Sequence, residues 1–317
     1  MPIELSPLIV VLGPTGTGKS DLALVLAERL GGEIVNCDSV QVYRGLDIGS
    51  AKLPVERRKG IPHHLIDVID TDAEVTAGGY SRLAREALSG IRSRKAVPII
   101  AGGTGFYLRA LLDGLSPGPG RNDALRVRLT TLARRRPAAL HRFLRAHDPA
   151  AAARIHRNDH QKLIRAIELT IVSGRPASQT QSEPRDSLPG FATLKLGLAP
   201  DRAALYRRLD DRSAALFRSG LLEETRALLQ GGASPDSKAL QSLGYRQAVQ
   251  ALRGELTIDS AVRECQIKTR QYAKRQMTWF RSEAGVHWLN GFGDEPPIQS
   301  EALRLAIEFI QELIRRA

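Results

Sequence analysis

Eight consecutive residues, Gly13-Pro14-Thr15-Gly16-Thr17-Gly18-Lys19-Ser20, fit the pattern GxxxxGK[ST] at every fixed position. A glycine-rich loop at a helix start turns backbone N–H groups and the positive end of the helix dipole toward an anion. Lys19 would neutralise a distal phosphate and Ser20 would offer its hydroxyl to Mg²⁺. The pattern selects a phosphorylated ligand and expects nucleotide binding, but it does not say whether that ligand is ATP. Two other clusters could do chemistry. Asp38-Ser39 follows an apolar run, and Gly102-Gly103-Thr104-Gly105 follows another. Asp38 has two roles open to it: capping or holding a Mg²⁺-bound water, and acting as a general base. Position alone favours the first. Thr104 can offer a hydroxyl to a phosphate or to a base. His63 and His64 are adjacent, so in a strand they point to opposite faces and do not suit a shared metal.

These groups need a scaffold, and the apolar pattern supplies one. Residues 8–12 are continuously apolar, as in a buried parallel strand. From 21 to 30, Leu22, Val25, Leu26 and Leu30 recur at helical spacing before the stop Gly31-Gly32. Residues 33–37 read as a second strand ending at Asp38, on the edge where parallel sheets bind ligands. Residues 40–52 form a polar and aromatic loop, and 61–68 an approach loop and third strand. An amphipathic helix is predicted over 76–94, with Tyr80, Leu83, Ala84, Ala87, Leu88 and Ile91 in one stripe. Residues 97–101 give a fourth strand and 106–112 the next helix. The predicted fold class is α/β: a P-loop NTPase-like core with a parallel sheet flanked by helices, plus an all-helical insertion.

The insertion begins at the Pro- and Gly-dense stretch 115–120. Its helical patterns carry Arg121, Arg126, Arg128, Arg134, Arg135, Arg136, Arg142 and Arg145, a basic face suited to RNA phosphates. A helix over 161–172 turns Leu163, Ile164, Ile167 and Ile171 inward, and 178–189 reads as a loop. Residues 192–198 return as a strand. The expected domains are 1–118 with 190–317 as catalytic core, and 119–189 as the helical insertion. In the last third, one long helix is predicted over 201–229, with a helical hairpin around 242–247. A helix over 258–282 carries Arg263, Arg270, Lys274 and Arg281 in a basic stripe opposite Cys265, Tyr272 and Trp279. A short strand at 286–289 and a helix over 300–315 close the pattern.

The 317 residues hold 46 Lys and Arg against 34 Asp and Glu, a formal charge of +12, and 42% are hydrophobic. The pI is near 10.1. The hydrophobic share is ample for a full core, and the charge suits a polyanion, nucleic acid first. Cys37 and Cys265 are too few for a disulfide framework or metal set, which fits a reducing cytoplasm. No signal peptide, membrane span or repeat is apparent, so a cytoplasmic monomer without a membrane partner is expected.

Taken together, the chain resembles the tRNA dimethylallyltransferase (tRNA isopentenyltransferase) family. The resemblance rests on GPTGTGKS at 13–20, DSVQVYRGLDIGSAK at 38–52, PHHLID at 62–67 and GGTGFYLRALLDGL at 102–115. It continues through NDHQKLIRAIEL at 158–169, LGYRQ at 243–247 and TRQYAKRQMTWFR at 269–281. The first motif is shared with many nucleotide-binding proteins; the second and last are distinctive. A bacterial-type member is expected, without the zinc-finger extension of eukaryotic ones. The resemblance implies transfer of a dimethylallyl group from dimethylallyl diphosphate to N6 of the adenosine at tRNA position 37, in the anticodon stem-loop. It shifts Asp38 to the role of base. It implies that Lys19, the loop and Mg²⁺ at Ser20 hold the departing pyrophosphate, that Arg212 reaches it, and that Thr104 assists. Ser39, Val40 and Gln41, with Asp38 and Thr104, would hold the adenine. Arg126 and the run Gln161, Lys162, Leu163, Ile164 and Arg165 would contact the tRNA. A nucleoside kinase would explain the loop but not the basic helices. A GTPase-type RNA binder would need an NKxD motif that the sequence lacks.

Overall fold

The computed structural model describes residues 5–116, 118–182 and 185–316. Pro117, in the predicted boundary, and residues 183–184, in the predicted loop, lie outside them. The described strands and helices follow in chain order as β1 (Ser6–Leu12), α1 (Lys19–Leu30), β2 (Gly32–Asn36), β3 (His63–His64), α2 (Ala77–Ser93), β4 (Val97–Gly102) and α3 (Gly105–Leu112). Then come α4 (Asp123–Arg135), α5 (Ala139–His147), α6 (Pro149–Arg154), α7 (His160–Ser173), α8 (Ala177–Ser182) and β5 (Phe191–Leu198). The last are α9 (Arg202–Arg218), α10 (Leu221–Gln230), α11 (Tyr245–Leu252), α12 (Ile258–Phe280), β6 (Val286–Leu289) and α13 (Pro296–Arg316). The six strands form one sheet in the order β3-β2-β4-β1-β5-β6, and every pairing is parallel.

The chain divides into two compact units. Asp113–Ser187 is one; the described chain up to Leu112 and from Leu188 is the other. Leu188 N–H donates to Leu112 O at 2.9 Å, which stitches the sheet-bearing unit where the chain leaves and re-enters it.

The sheet is buried on both faces, which is why β1 is apolar without alternation. Leu8, Val10 and Leu12 face a cluster with Tyr80, Leu88 and Ile91 of α2 and Leu108 and Leu111 of α3. Ile9 and Val11 face the opposite cluster, built from Leu22 and Leu26 of α1 and Ala302 and Ala306 of α13. A third cluster joins Val42, Tyr43 and Leu46 to Phe217, Leu221, Tyr245 and Cys265, anchoring the long loop after β2 on α9 to α12. The helical unit has its own core of Leu129, Leu140, Leu144, Leu163 and Ile167. Among the described residues no helix is long and apolar enough to cross a membrane.

Several expectations are corrected. The third strand is only two residues long, because Leu65 and Asp67 take positive φ of 62° and 56° and turn the chain out of the sheet. Leu83 is 38% exposed; Ser81 takes the inward place, donating to Ala110 O at 3.0 Å. Ile171 likewise faces outward, at 48% exposure. The predicted loop at 178–189 starts inside a helix, α8. At the start of that helix, Ala177 N–H donates to Thr170 Oγ1 at 3.2 Å, and Ser178 N–H donates to Asp148 Oδ2 at 2.8 Å. The long helix at 201–229 is two helices, broken at Gly220 with φ of 101°. Arg270 does not join a free basic stripe: it is ion-paired with Asp210 of α9, while Arg263, Lys274 and Arg281 are exposed.

Candidate active site

β2, β4 and β1 are consecutive in the sheet. The segments leaving their carboxyl ends are therefore neighbours, at the edge where parallel sheets bind ligands. β1 delivers the phosphate loop, β2 delivers Asp38 and β4 delivers Thr104.

The phosphate loop is shaped from several sides. Gly13, Gly16 and Gly18 have φ of 147°, 80° and 81°, a region that side chains rarely adopt. Space also forbids a side chain: a Cβ at Gly16 would lie 2.6 Å from Leu209, and one at Gly18 2.9 Å from Asp294. Thr17 Oγ1 donates to Pro14 O at 2.9 Å, and Gly293 N–H donates to Thr17 O at 2.8 Å. Lys19 Nζ donates to Pro14 O at 2.7 Å. The N–H groups of Gly16, Thr17 and Gly18 meet no protein acceptor among the described residues. With the open first turn of α1, they form an anion cradle.

The charge around the cradle is arranged for an anion. Desolvation pushes the Lys19 ammonium down to about 8; Asp38 pulls it back up and Arg212 pushes it further down. Burial lowers the Arg212 guanidinium too, again opposed by Asp38 and reinforced by Arg208. Two cations thus share one carboxylate, and a bound anion would complete the balance. Arg208 is held by a paired contact to Asp294 at 2.8 and 3.1 Å and lies over the Phe292 ring at 4.8 Å.

Asp38 does cap. Its Oδ1 accepts from Val40 N–H at 2.8 Å and Gln41 N–H at 3.3 Å, while Oδ2 has no partner among the described residues. One oxygen fixes the turn and the other stays available. Ser39 N–H donates to Thr104 Oγ1 at 3.1 Å, and Thr104 N–H to Cys37 O at 3.2 Å. Gln41 Nε2 donates to Ser50 O at 3.2 Å. The far part of this loop is pinned by Glu224, which accepts the N–H groups of Asp47, Ile48 and Gly49, and by buried Lys52, which reaches Tyr43 O, Asp47 and Asp67.

A cavity of about 690 Å³ brings these groups together, lined by Lys19, Ser20, Asp38, Gln41, Arg212 and Tyr272 among others. That volume suits a small-molecule site. Thr104 stands just behind the lining, through Ser39 and beside the Tyr272 hydroxyl. Burial, then Asp38, push that phenol well above its ordinary range, so it stays protonated. The cavity can hold an anion on a cationic cradle and accept a proton on Asp38 in one space.

The remaining sequence candidates lie in the helical unit. Arg126 Nε and Arg165 Nη1 converge on Glu168, at 3.1 and 2.6 Å, and Asn122 N–H donates to the same carboxylate at 2.7 Å. Gln161 and Lys162 are exposed and Ile164 is half-buried. Leu163 is fully buried in that unit's core, so its side chain packs and does not face an RNA.

Sequence reasoning gave no role to Gln276, Tyr272, Arg275 or Arg208. Gln276 is 6% exposed, in phase with Ala273 and Phe280 on the apolar side of α12. A polar residue in apolar phase was the signal available. The loop at 291–294, which packs on the cradle, carried none.

The IPP transferase family profile matches residues 41–283. The tRNA dimethylallyltransferase of Solibacter usitatus is 53% identical over 304 residues, covering 96% of this chain and 99% of that one. That of Geobacter sulfurreducens is 45% identical over 283 residues, covering 89% and 91%. The crystal structure of the full-length tRNA isopentenylpyrophosphate transferase from Bacillus halodurans matches with a TM-score of 0.72 at 32% identity, covering 98% and 97%. A eukaryotic dimethylallyltransferase acting on tRNA matches with a TM-score of 0.83 at 28% identity, covering 97% and 80%. The chain belongs to the IPP transferase family, that of the tRNA dimethylallyltransferases.

Proposed function

We propose that this chain transfers a dimethylallyl group from dimethylallyl diphosphate to N6 of the adenosine at position 37 of tRNA, releasing diphosphate. One observation carries the reading: an anion cradle with two partly desolvated cations and a carboxylate with a spare oxygen line the same cavity. The adenine N6 attacks C1 of the allylic donor as the C1–O bond breaks, and the electron pair leaves with the diphosphate. Lys19, Arg212 and the N–H groups of Gly16 to Ser20 stabilise the charge that develops there. Asp38 Oδ2 takes the N6 proton. An exocyclic amine is a weak nucleophile, so orientation matters as much as basicity. Ser39, Val40, Gln41 and Thr104 hold the base after it leaves its stack.

Mg²⁺ fits the donor set. Ser20, Asp21 and Asp38 offer hard oxygens at the cavity, and no cluster of three His, Cys, Asp or Glu side chains suited to a metal occurs among the described residues. That suits an ion taking most of its ligands from phosphate and water. When bound, it would neutralise diphosphate charge. The exposed arginines of the helical unit, with Arg126, Gln161, Lys162 and Arg165, serve the anticodon stem-loop. The reading places the enzyme in the cytoplasm as a monomer.

The test is mass spectrometry of tRNA nucleosides after incubation of purified protein with tRNA, Mg²⁺ and isotope-labelled dimethylallyl diphosphate. Labelled N6-(dimethylallyl)adenosine is expected, and in a ribonuclease digest of the same tRNA it falls in the fragment that carries position 37. Unmodified adenosine under these conditions, or phosphate transfer from ATP instead, overturns the reading.

A further inference from the structure

Between the phosphate loop and Asp38 runs a continuous bridge of hydrogen bonds. Thr15 N–H donates to Gln276 Oε1 at 2.8 Å, and Gln276 Nε2 donates to Gly103 O at 2.7 Å. The next residue, Thr104, accepts from Ser39 N–H at 3.1 Å, and Ser39 adjoins Asp38. Gln276 spans 261 residues of sequence on one side and 173 on the other. Its amide is almost fully buried and both of its ends are used. A glutamine amide accepts at one end and donates at the other in a fixed plane.

The surroundings make this contact specific. A Cβ at Gly103 would lie 2.4 Å from Gln276 Nε2, and one at Gly105 2.3 Å from the Trp279 indole. The helix α12 therefore seats directly on the β4–α3 turn, one helical turn at each glycine. Tyr272 and Arg275 of the same helix line the cavity.

We propose that Gln276 is a positioning residue for the prenyl transfer proposed above, on which this inference rests. It fixes the distance between the diphosphate cradle and the β4–α3 turn, whose Thr104 holds Ser39 and so the segment after β2 that carries Asp38. It touches neither substrate. Its bond to Thr15 also takes that N–H out of the pool offered to the anion, setting the loop's shape before a ligand arrives. Misplacement of reacting groups by about 1 Å costs on the order of a hundredfold in rate. Losing the bridge should therefore act on turnover more than on anion affinity.

Two variants test this. Gln276→Met keeps the volume and loses both hydrogen bonds. Its kcat should fall at least about tenfold, while its Kd for inorganic pyrophosphate by calorimetry changes less than about threefold. Gln276→Glu reproduces both contacts only when protonated. Its kcat relative to wild type should rise as the pH is lowered from about 8 to about 6. Hydrogen exchange at the Thr15 amide should be slow in wild type and fast in Gln276→Met, whether or not transfer occurs. Failure of the wild type to make prenylated adenosine would strike the proposed function, and the amide readout still judges the bridge. A folded Gln276→Met with wild-type kcat, or with pyrophosphate affinity lost in step with kcat, overturns the proposal. So does a Gln276→Glu ratio that ignores pH, which decides the matter if Gln276→Met does not fold.

Discussion

Lys19→Met should stabilise the unliganded protein while destroying its response to pyrophosphate. Desolvation holds the Lys19 ammonium near 8, down from 10.5. At 1.36 kcal/mol per pH unit, keeping that charge in the empty site costs about 3 kcal/mol. Between about pH 8 and 10.5 the unfolded chain holds this proton and the folded chain does not, so stability rises with pH across that window and is lowest below it. Methionine keeps the length of the stem and removes the charge. It also removes the bond to Pro14 O, worth about 1 kcal/mol. The variant should then be more stable than wild type by about 2 kcal/mol at about pH 7, and the gap should close by about pH 10. Urea denaturation at both pH values measures it. In wild type, pyrophosphate should raise Tm and take up protons above about pH 8, detectable as a buffer-dependent calorimetric heat. Equal stability of the two proteins at about pH 7, or a gap that persists to about pH 10, refutes the idea of a cation left under-neutralised for its anion.

Asp38→Asn keeps an acceptor for Val40 and Gln41 but cannot take the N6 proton. Prenyl transfer should fall by about two to four orders of magnitude, measured by nucleoside chromatography, with tRNA affinity by filter binding within about threefold. Gly102→Ala would place a Cβ 2.1 Å from Cys37 O, backbone that cannot yield without parting β2 from β4. It should cost about 3 kcal/mol in chemical denaturation, and an unchanged midpoint would contradict the packing. At Glu168, burial pushes the carboxyl up, but the Asn122 N–H, Arg165 and Arg126 outweigh it and hold the group ionised. Glu168→Ala removes the shared acceptor of Asn122 N–H and Arg126 and leaves Arg165 only Pro119 O; it should destabilise by about 1 to 3 kcal/mol, seen as increased protease cleavage within residues 113–187.

The local units were legible because short-range pattern fixes them. An apolar run, a loop of glycines and a heptad-scale stripe announce β1, the cradle and α1 within about 25 residues. Asp38 and Thr104 were found the same way, each at the end of an apolar run. What misled was exposure that the helical period alone does not set. Leu83 and Ser81 sit on opposite flanks of the stripe on α2, and the flank that packs is the serine's, bonded to Ala110 O, not the leucine's. Arg270 looked like part of a cationic surface until α9 brought Asp210 against it. The break falls at Ser219-Gly220, a turn dipeptide that an otherwise helical pattern hides; Gly220 takes φ of 101° and Leu221 packs among Tyr245 and Phe217. The bridge through Gln276 depends on partners 261 and 173 residues away, and nothing near them in the chain marks the pairing.

The two glycine-rich turns look alike in sequence and answer to different physics. In the phosphate loop, Gly13, Gly16 and Gly18 all have positive φ; there glycine is needed for backbone shape, and the reward is a ring of N–H groups free to face an anion. In the turn after β4, Gly102, Gly103 and Gly105 do not. Their missing side chains make room instead, for Cys37 O, the Gln276 amide and the Trp279 indole respectively. The second turn is therefore a seat for α12 and for the segment after β2. The cradle's N–H groups are open because its backbone is bent. The turn that carries Thr104 is held because its backbone is crowded, and α12 joins the two because glycine lets a helix come that near.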